Sequence, residues 1–157
     1  MKFPSLAQLK KELKLLDESE LQDLLVDLSK FSRDNKAYLF FKLNEREQPN
    51  LYVEMVQEEL ENEFSNARSD HYYYAKKSAQ KIRRKMNKLL KLTKDKSQQV
   101  EIILYFCERL KEEGFLNHHS TVMDNLYQIQ LNKAKKLVSS LHEDLQYDLE
   151  MRFNELE

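Results

Sequence analysis

The apolar residues of this chain recur every three or four positions, the spacing that places side chains on one face of an α-helix. A first helix is predicted after Ser5, and a second after a capping pattern of Asp17 with Glu20 or of Ser19 with Gln22. The joint between these helices is short, so we expect an antiparallel or sharply angled hairpin. The apolar positions of this pair are Leu6, Leu9, Leu13, Leu16, Leu21, Leu24, Leu25 and Leu28.

Three more helices are predicted in the middle of the chain. A polar break at 32–35 precedes a short third helix, and Pro49 precedes a fourth because the residue before a proline resists helical geometry. Ser69 or Asp70 can cap a fifth helix, which covers the range 72–96. The residues expected to be buried in the fourth and fifth helices are Tyr52 or Val53, Val56, Leu60, Phe64, Ala75, Ala79, Ile82, Met86, Leu89, Leu90 and Thr93.

The sixth helix is predicted between a capping box of Asp95 with Gln98 and Gly114, the only glycine of the sequence. Glycine readily takes the left-handed conformation that follows many helix ends, and Phe115 is then expected to fold back on Leu110. The buried face of this helix should carry Val100, Ile103, Leu104, Cys107 and Leu110.

Two last helices follow. Ser120 or Thr121 starts the seventh, and Ser140 with Glu143 forms a capping pattern for the eighth. Their inward residues are expected to be Val122, Leu126, Ile129, Leu137, Leu141, Leu145, Leu149, Phe153 and Leu156.

Turn-forming residues are scarce, because the 157 residues include one Gly and two Pro. Sheets and active sites built from loops need such residues, so the sequence predicts an all-α protein. We expect one domain over residues 1–157, with about eight helices in antiparallel pairs. Two architectures remain open: a short irregular array of the HEAT or TPR kind, and a compact bundle.

Charge is unevenly distributed although the whole chain carries a formal charge of −1. The segment 45–70 has a formal charge of −6, and the segment 72–96 has ten Lys and Arg against one acid. The acidic and basic helices are consecutive, so their charges can pair across a shared seam. Cations on the far side of the basic helix must instead face solvent or a partner, and Lys77, Arg84, Lys88 and Lys91 share such a stripe.

Three consecutive tyrosines open the basic helix, so at least one of them should point outward. Exposed tyrosines can stack on bases while neighbouring cations contact phosphates. The alternative, in which Tyr74 packs inward and the others cover the helix start, is favoured. The candidate binding residues are Tyr72, Tyr73, Lys76, Lys77, Lys81, Arg83, Arg84, Lys88 and Lys91.

Catalytic and metal-binding patterns are not found. The four histidines, His71, His118, His119 and His142, include no pair spaced to hold one ion from a helix face. One glycine cannot build a phosphate-binding loop, and Cys107 lies on an apolar face where a thiol is not activated. We therefore predict that the protein is not an enzyme and has neither a metal nor a cofactor.

Four segments occur in a recognisable order: LKKELKLLDESELQDLLVDLSK at 9–30, AYLFFKLN at 37–44, AKKSAQKIRRKMNKLLKL at 75–92 and VEIILYFCERLKEEGF at 100–115. This order resembles a family of small all-helical proteins, chiefly from Bacteroidetes-type bacteria, classed as a domain of unknown function. The resemblance implies a helical-repeat-like fold and no catalytic residues to carry over.

The sequence therefore predicts a non-enzymatic helical interaction or scaffold protein that binds another macromolecule, foremost an unknown protein partner. The alternative is nucleic-acid binding through the basic helix at 72–96. A cytoplasmic location is expected, because the chain has a single cysteine, its start lacks the apolar core of a signal peptide, and no apolar run is long enough to span a membrane.

Overall fold

The computed structural model describes residues 2–156, which form eight α-helices and no strand, so the all-α prediction is confirmed. Two 3₁₀ turns, Leu90–Leu92 and Phe115–His118, follow the fifth and sixth helices. No helix in this range is long and apolar enough to cross a lipid bilayer. The helices are α1 (Leu6–Leu13), α2 (Glu18–Lys30), α3 (Arg33–Asn44), α4 (Leu51–Ser65), α5 (Tyr72–Leu89), α6 (Lys96–Glu112), α7 (Thr121–Val138) and α8 (Glu143–Leu156).

Contacts within the chain group into two compact units, Met1–Leu43 and Asn44–Glu157. The first unit carries α1, α2 and nearly all of α3, and the second carries α4 to α8. This division does not test the expectation of a single domain over residues 1–157, which stays a prediction.

The helix ends of the first unit are set by local hydrogen bonds. The Ser5 hydroxyl accepts a hydrogen bond from the Gln8 amide at 3.3 Å, as predicted. Asp17 and Glu20 form the reciprocal capping box, in which each side chain accepts a hydrogen bond from the other residue's backbone amide at 2.9 Å. Such caps stabilise isolated helix starts, so these ends do not depend on tertiary packing.

The start of α3 lies inside the predicted polar break. The Ser32 hydroxyl accepts a hydrogen bond from the Asn35 amide at 3.0 Å, so this polar stretch begins a helix rather than separating two. None of α1, α2 and α3 has a buried residue. The predicted hairpin of α1 and α2 therefore has no buried seam, and its leucines are half-buried or exposed.

The core of the second unit is built around α6. This helix packs against α4, α5, α7 and α8, which explains why it is buried on more than one face. The five residues predicted to be inward are buried, and Ile102 and Phe106 are buried as well. Phe106 packs beside Phe64 of α4 with ring centroids 5.8 Å apart, and Phe115 meets Phe64 edge-on at the same distance.

The faces of α4 and α5 are those that the sequence predicts. Tyr52, rather than Val53, is the buried residue near the start of α4, and its hydroxyl donates to the Leu89 carbonyl at 3.0 Å. Leu90 and Thr93 are buried beyond the end of α5, whereas Leu89 is only half-buried. The other buried residues are Val56, Leu60, Phe64, Ala75, Ala79, Ile82 and Met86.

The predicted inward face of α7 is wrong in register. Val122 and Ile129 are exposed, and Leu126 is the only predicted residue of this helix that is buried. The helix carries apolar residues on two stripes, and the buried one includes Gln130 and Ala134, whose residue types give little signal. Its full buried set is Met123, Leu126, Tyr127, Gln130, Leu131, Ala134 and Val138.

Two helix starts use a histidine where the sequence predicts another cap. The ring Nδ1 of His71 accepts a hydrogen bond from the Tyr73 amide at 3.3 Å, so neither Ser69 nor Asp70 caps α5. At the start of α8, the Asp144 amide donates to Nδ1 of His142 at 3.4 Å, whereas the Ser140 hydroxyl donates to a carbonyl of α7. In α8, Leu149, Phe153 and Leu156 are buried as predicted, and Leu145 is exposed.

Gly114 follows α6 in the left-handed conformation that the sequence predicts, with φ 74° and ψ 15°. A Cβ atom there would lie 3.0 Å from the side-chain amide nitrogen of Asn117. We expect Gly114→Ala to lower the free energy of unfolding by about 1 kcal/mol or more, because alanine is strained at this φ.

Urea denaturation measures this change, with Asn125→Ala at an exposed position of α7 as a control expected to stay within about 0.5 kcal/mol of the wild type. An alanine variant at Gly114 as stable as the wild type would contradict the expected strain. Leu110 and Phe115 are both buried, and their mutual contact stays a prediction.

Candidate functional site

The candidate site is the face of α5 that points away from the core. Ala75, Ala79, Ile82 and Met86 pack this helix against α4 and α6. The opposite face and the 3₁₀ turn that follows carry the predicted cationic stripe, here called the outward stripe. Its four members are all exposed: Lys77, Arg84 and Lys88 on α5, and Lys91 on the turn.

The acidic helix α4 covers one flank of α5. Lys81 lies 2.8 Å from Glu63, and Lys85 lies 2.7 Å from Glu59 and 2.9 Å from Glu63. The hydrogen bonds from Lys81 and Lys85 hold the pKa of the Glu63 carboxyl below its usual value. These pairs lie along the seam between the helices, where the sequence predicts charge pairing.

Another acid of α4 pairs with a different helix. Glu61 points towards α6, where it accepts hydrogen bonds from the Tyr105 hydroxyl at 2.6 Å and from Arg109 at 2.8 Å. Within residues 2–156, Lys77, Arg84 and Lys91 form no ion pair. The acidic helix therefore neutralises one flank of α5 and leaves these three cations of the stripe exposed.

The remaining candidate cations lie nearer the core. Lys76 and Arg83 are half-buried, and the buried Nε of Arg83 has no hydrogen-bond partner among the described residues. Lys81 is exposed, but its ammonium group is engaged by Glu63. Of the predicted cations, the members of the outward stripe are the best placed to meet a ligand.

The three tyrosines at the start of α5 are all exposed, and Tyr73 is the most exposed at 61%. Tyr74 does not pack inward as the favoured alternative expects, because it remains 42% exposed. The guanidinium of Arg68 lies 4.1 Å from the centre of the Tyr74 ring, in cation–π contact. Tyr72 lies against the ring of His118 and Tyr73 lies edge-on to Tyr74, but Tyr73 exposes the largest fraction of its side chain beside the cations.

Sequence reasoning missed a second group of cations near α5. Lys96, Lys133 and Lys136 line an open groove of about 510 Å³ on the outer side of α7. The clustered lysines at the end of α7 are evident in the sequence, but the predicted register of this helix was wrong, so the direction of their side chains was not predicted. Only the fold brings them beside Lys96 at the start of α6.

Cys107 is completely buried, and burial raises the pKa of its thiol to about 12. A protonated, enclosed thiol is a poor nucleophile, in agreement with its predicted place on the apolar face. Within residues 2–156, no three side chains of His, Cys, Asp or Glu are grouped so that they could hold a metal ion.

No protein-family model, curated protein or solved structure matches this chain. The family resemblance and the absence of enzymatic activity therefore stay predictions, and arguments about function depend on the surfaces described above.

Proposed function

We propose that this protein is a non-enzymatic interaction or scaffold protein, which binds another macromolecule through its helical surfaces and foremost binds a protein partner. The observation that carries this proposal is the first unit, in which α1, α2 and α3 contain no buried residue. The cytoplasm is the proposed location, because the one cysteine of the chain is a buried free thiol.

The first unit exposes many large apolar side chains. Helices of 8 to 13 residues are marginal in water by themselves, because most helix stability in proteins comes from packing an apolar face. Large apolar side chains exposed along short helices favour an interaction site. The exposed apolar residues are Phe3, Leu6, Leu9, Leu13, Leu15, Leu24, Leu25, Val26, Leu28, Phe31, Tyr38, Phe40 and Leu43.

The helix α2 has the pattern of a helix that docks into a groove. Its leucines at 21, 24, 25 and 28 follow the spacing i, i+3, i+4 and i+7, which is the anchor pattern of helix-in-groove recognition. Asp23 and Asp27 lie between these anchors and are exposed. We therefore infer a partner with an apolar groove that receives an amphipathic helix.

We expect the double change Leu24→Glu and Leu28→Glu to reduce partner binding at least tenfold, because each leucine buried at an interface contributes about 1.5–3 kcal/mol. Affinity capture with quantitative mass spectrometry measures the partner recovered by the full-length protein. Neither leucine is buried in this chain, so we expect the melting temperature of the variant to remain near that of the wild type.

A matched control places the same two charges on the polar side of α2, as Ser19→Glu with Gln22→Glu, both at exposed positions. A partner that the control retains and the leucine variant loses supports the proposal. If the leucine variant recovers the same proteins in the same amounts as the wild type, α2 is not the interaction site.

Nucleic-acid binding through α5 is the second candidate function. It is favoured by the exposed cations of the outward stripe and by the exposed ring of Tyr73 at the start of α5. Cations that contact phosphates beside an aromatic ring that stacks on bases are the usual combination in proteins that bind single strands.

A further inference from the structure

The groove on α7 is a cationic feature that contains only the last residue, Lys96, of the predicted basic helix. Its charged lining consists of Lys96 from the start of α6 together with Lys133 and Lys136 from α7. No Asp or Glu lines the groove. Three positive charges without a counter-charge favour an anionic ligand.

Hydrogen bonds hold two of these lysines at the groove. The Lys96 ammonium donates to the Ser140 hydroxyl at 3.0 Å, and the Lys133 ammonium donates to the side-chain carbonyl of Asn87 at 3.3 Å. Partial burial lowers the pKa of Lys133 below its ordinary value.

The contact between Asn87 and Lys133 also connects the groove with α5. Asn87 lies three residues after Arg84 and four residues before Lys91, so these side chains are neighbours on one side of the helix. The Lys133 ammonium therefore reaches the side of α5 on which Arg84 lies.

We propose that the groove and the outward stripe form one continuous track for the sugar–phosphate backbone of a nucleic acid. The inference rests on the second candidate function and extends its site to Lys96, Lys133 and Lys136. A sugar–phosphate backbone carries one negative charge per nucleotide whatever its sequence, which suits cations distributed along two adjoining surfaces.

Apolar side chains in the groove fit this ligand as well. Ile129 is 59% exposed, and Leu137 lies beside it in the lining. They offer apolar contacts to sugars or bases while the lysines contact phosphates, and Tyr73 offers a stacking surface at the start of α5.

The test uses the full chain and fluorescently labelled oligodeoxythymidylate, together with a duplex of equal length, titrated over a series of salt concentrations. The groove variant carries Lys96→Gln, Lys133→Gln and Lys136→Gln. Each lost phosphate contact should reduce the log–log salt slope by about 0.7 on single strands or 0.9 on duplex, so we expect a reduction of about 2 to 3 in total.

The control carries three changes of equal charge at exposed positions of the first unit, Lys10→Gln, Lys11→Gln and Lys14→Gln. We expect this control to keep the wild-type slope. Lys136→Gln alone, at an exposed position, keeps the test valid if the triple variant does not fold; it should reduce the slope by about 0.7 to 0.9.

Each alternative outcome has one meaning. An unchanged slope in the groove variant, with binding lost in a variant of the outward stripe, overturns the groove while nucleic-acid binding by α5 stands. Tighter binding of polyglutamate than of either oligonucleotide overturns the proposed ligand class and indicates an acidic polypeptide. An absence of oligonucleotide binding even at low salt removes the second candidate function, and the groove proposal with it.

Discussion

Replacement of the outward stripe by glutamine is expected to remove most of the salt-dependent binding of oligonucleotides. Four phosphate contacts on α5 contribute about −3 to −4 to the log–log slope, so their share of the affinity falls roughly hundredfold between 0.05 and 0.2 M salt. The variant with Lys77→Gln, Arg84→Gln, Lys88→Gln and Lys91→Gln should lose this share and bind all sequences more weakly. Fluorescence titrations at these two salt concentrations measure the change.

The matched control neutralises four exposed lysines of the first unit by Lys10→Gln, Lys11→Gln, Lys14→Gln and Lys36→Gln. It should bind as the wild type does, because the change in net charge is nearly the same but no cation of the proposed site is lost. Binding that survives the four changes on α5 would show that this helix is not the site.

The tyrosines add a distinction between ligands. Tyr72→Ala with Tyr73→Ala should weaken binding of single strands more than binding of duplex, because only unpaired bases can stack on these rings. Equal weakening of both ligands would argue against stacking. A protein-binding role without nucleic acid predicts negligible affinity for any oligonucleotide at about 0.15 M salt.

Helices with a single apolar stripe could be predicted residue by residue. The inward faces of α4 and α5 follow directly from their spacing, and the capping box of Asp17 with Glu20 follows from residue type. α6 was predicted correctly but incompletely, because spacing does not show that four helices surround it. Helix faces and caps that depend on nearby residues can therefore be predicted from the sequence.

The register of α7 could not be predicted, because residue type does not always reveal burial. Gln130 is buried although it is polar, and its side-chain oxygen has no hydrogen-bond partner among the described residues. Ile129 is exposed although it is strongly apolar. Packing against α6 selects one of two apolar stripes, and this choice depends on the whole second unit.

The charges of the candidate site could likewise be predicted in number but not in position. Counting residues gives the opposite charges of α4 and α5 but not the direction of each side chain. Glu59 and Glu63 pair with α5, whereas Glu61 turns to Arg109 on α6. The groove depends on Lys96 and Lys133, which are far apart in sequence and are brought together only by the packing of α6 with α7.

In the first unit, the structure departs furthest from the burial that the sequence predicts. The leucine spacing predicts α1 and α2 correctly, and it also suggests that their apolar faces are buried. Neither helix has a buried residue, so the same pattern does not build an internal core here. An amphipathic pattern specifies that a face needs covering, but not which molecule covers it.

We propose that α1 to α3, which have no buried residue, gain a core from a protein partner. Hydrogen exchange of the full-length protein, at a concentration where sedimentation shows a monomer, tests this claim most directly. Local openings of unpacked helices cost little free energy, whereas buried amides exchange only through openings that approach global unfolding.

We expect amides of α6 to exchange roughly a thousandfold or more slowly than those of α1 to α3, since even about 5 kcal/mol of stability gives protection of this size. Rapid exchange throughout α1 to α3, alongside strong protection of α6, is the result that the account predicts. If α1 to α3 exchanged as slowly as α6 in the monomer, their apolar faces would be covered within the chain itself, and the proposed need for a partner would be contradicted.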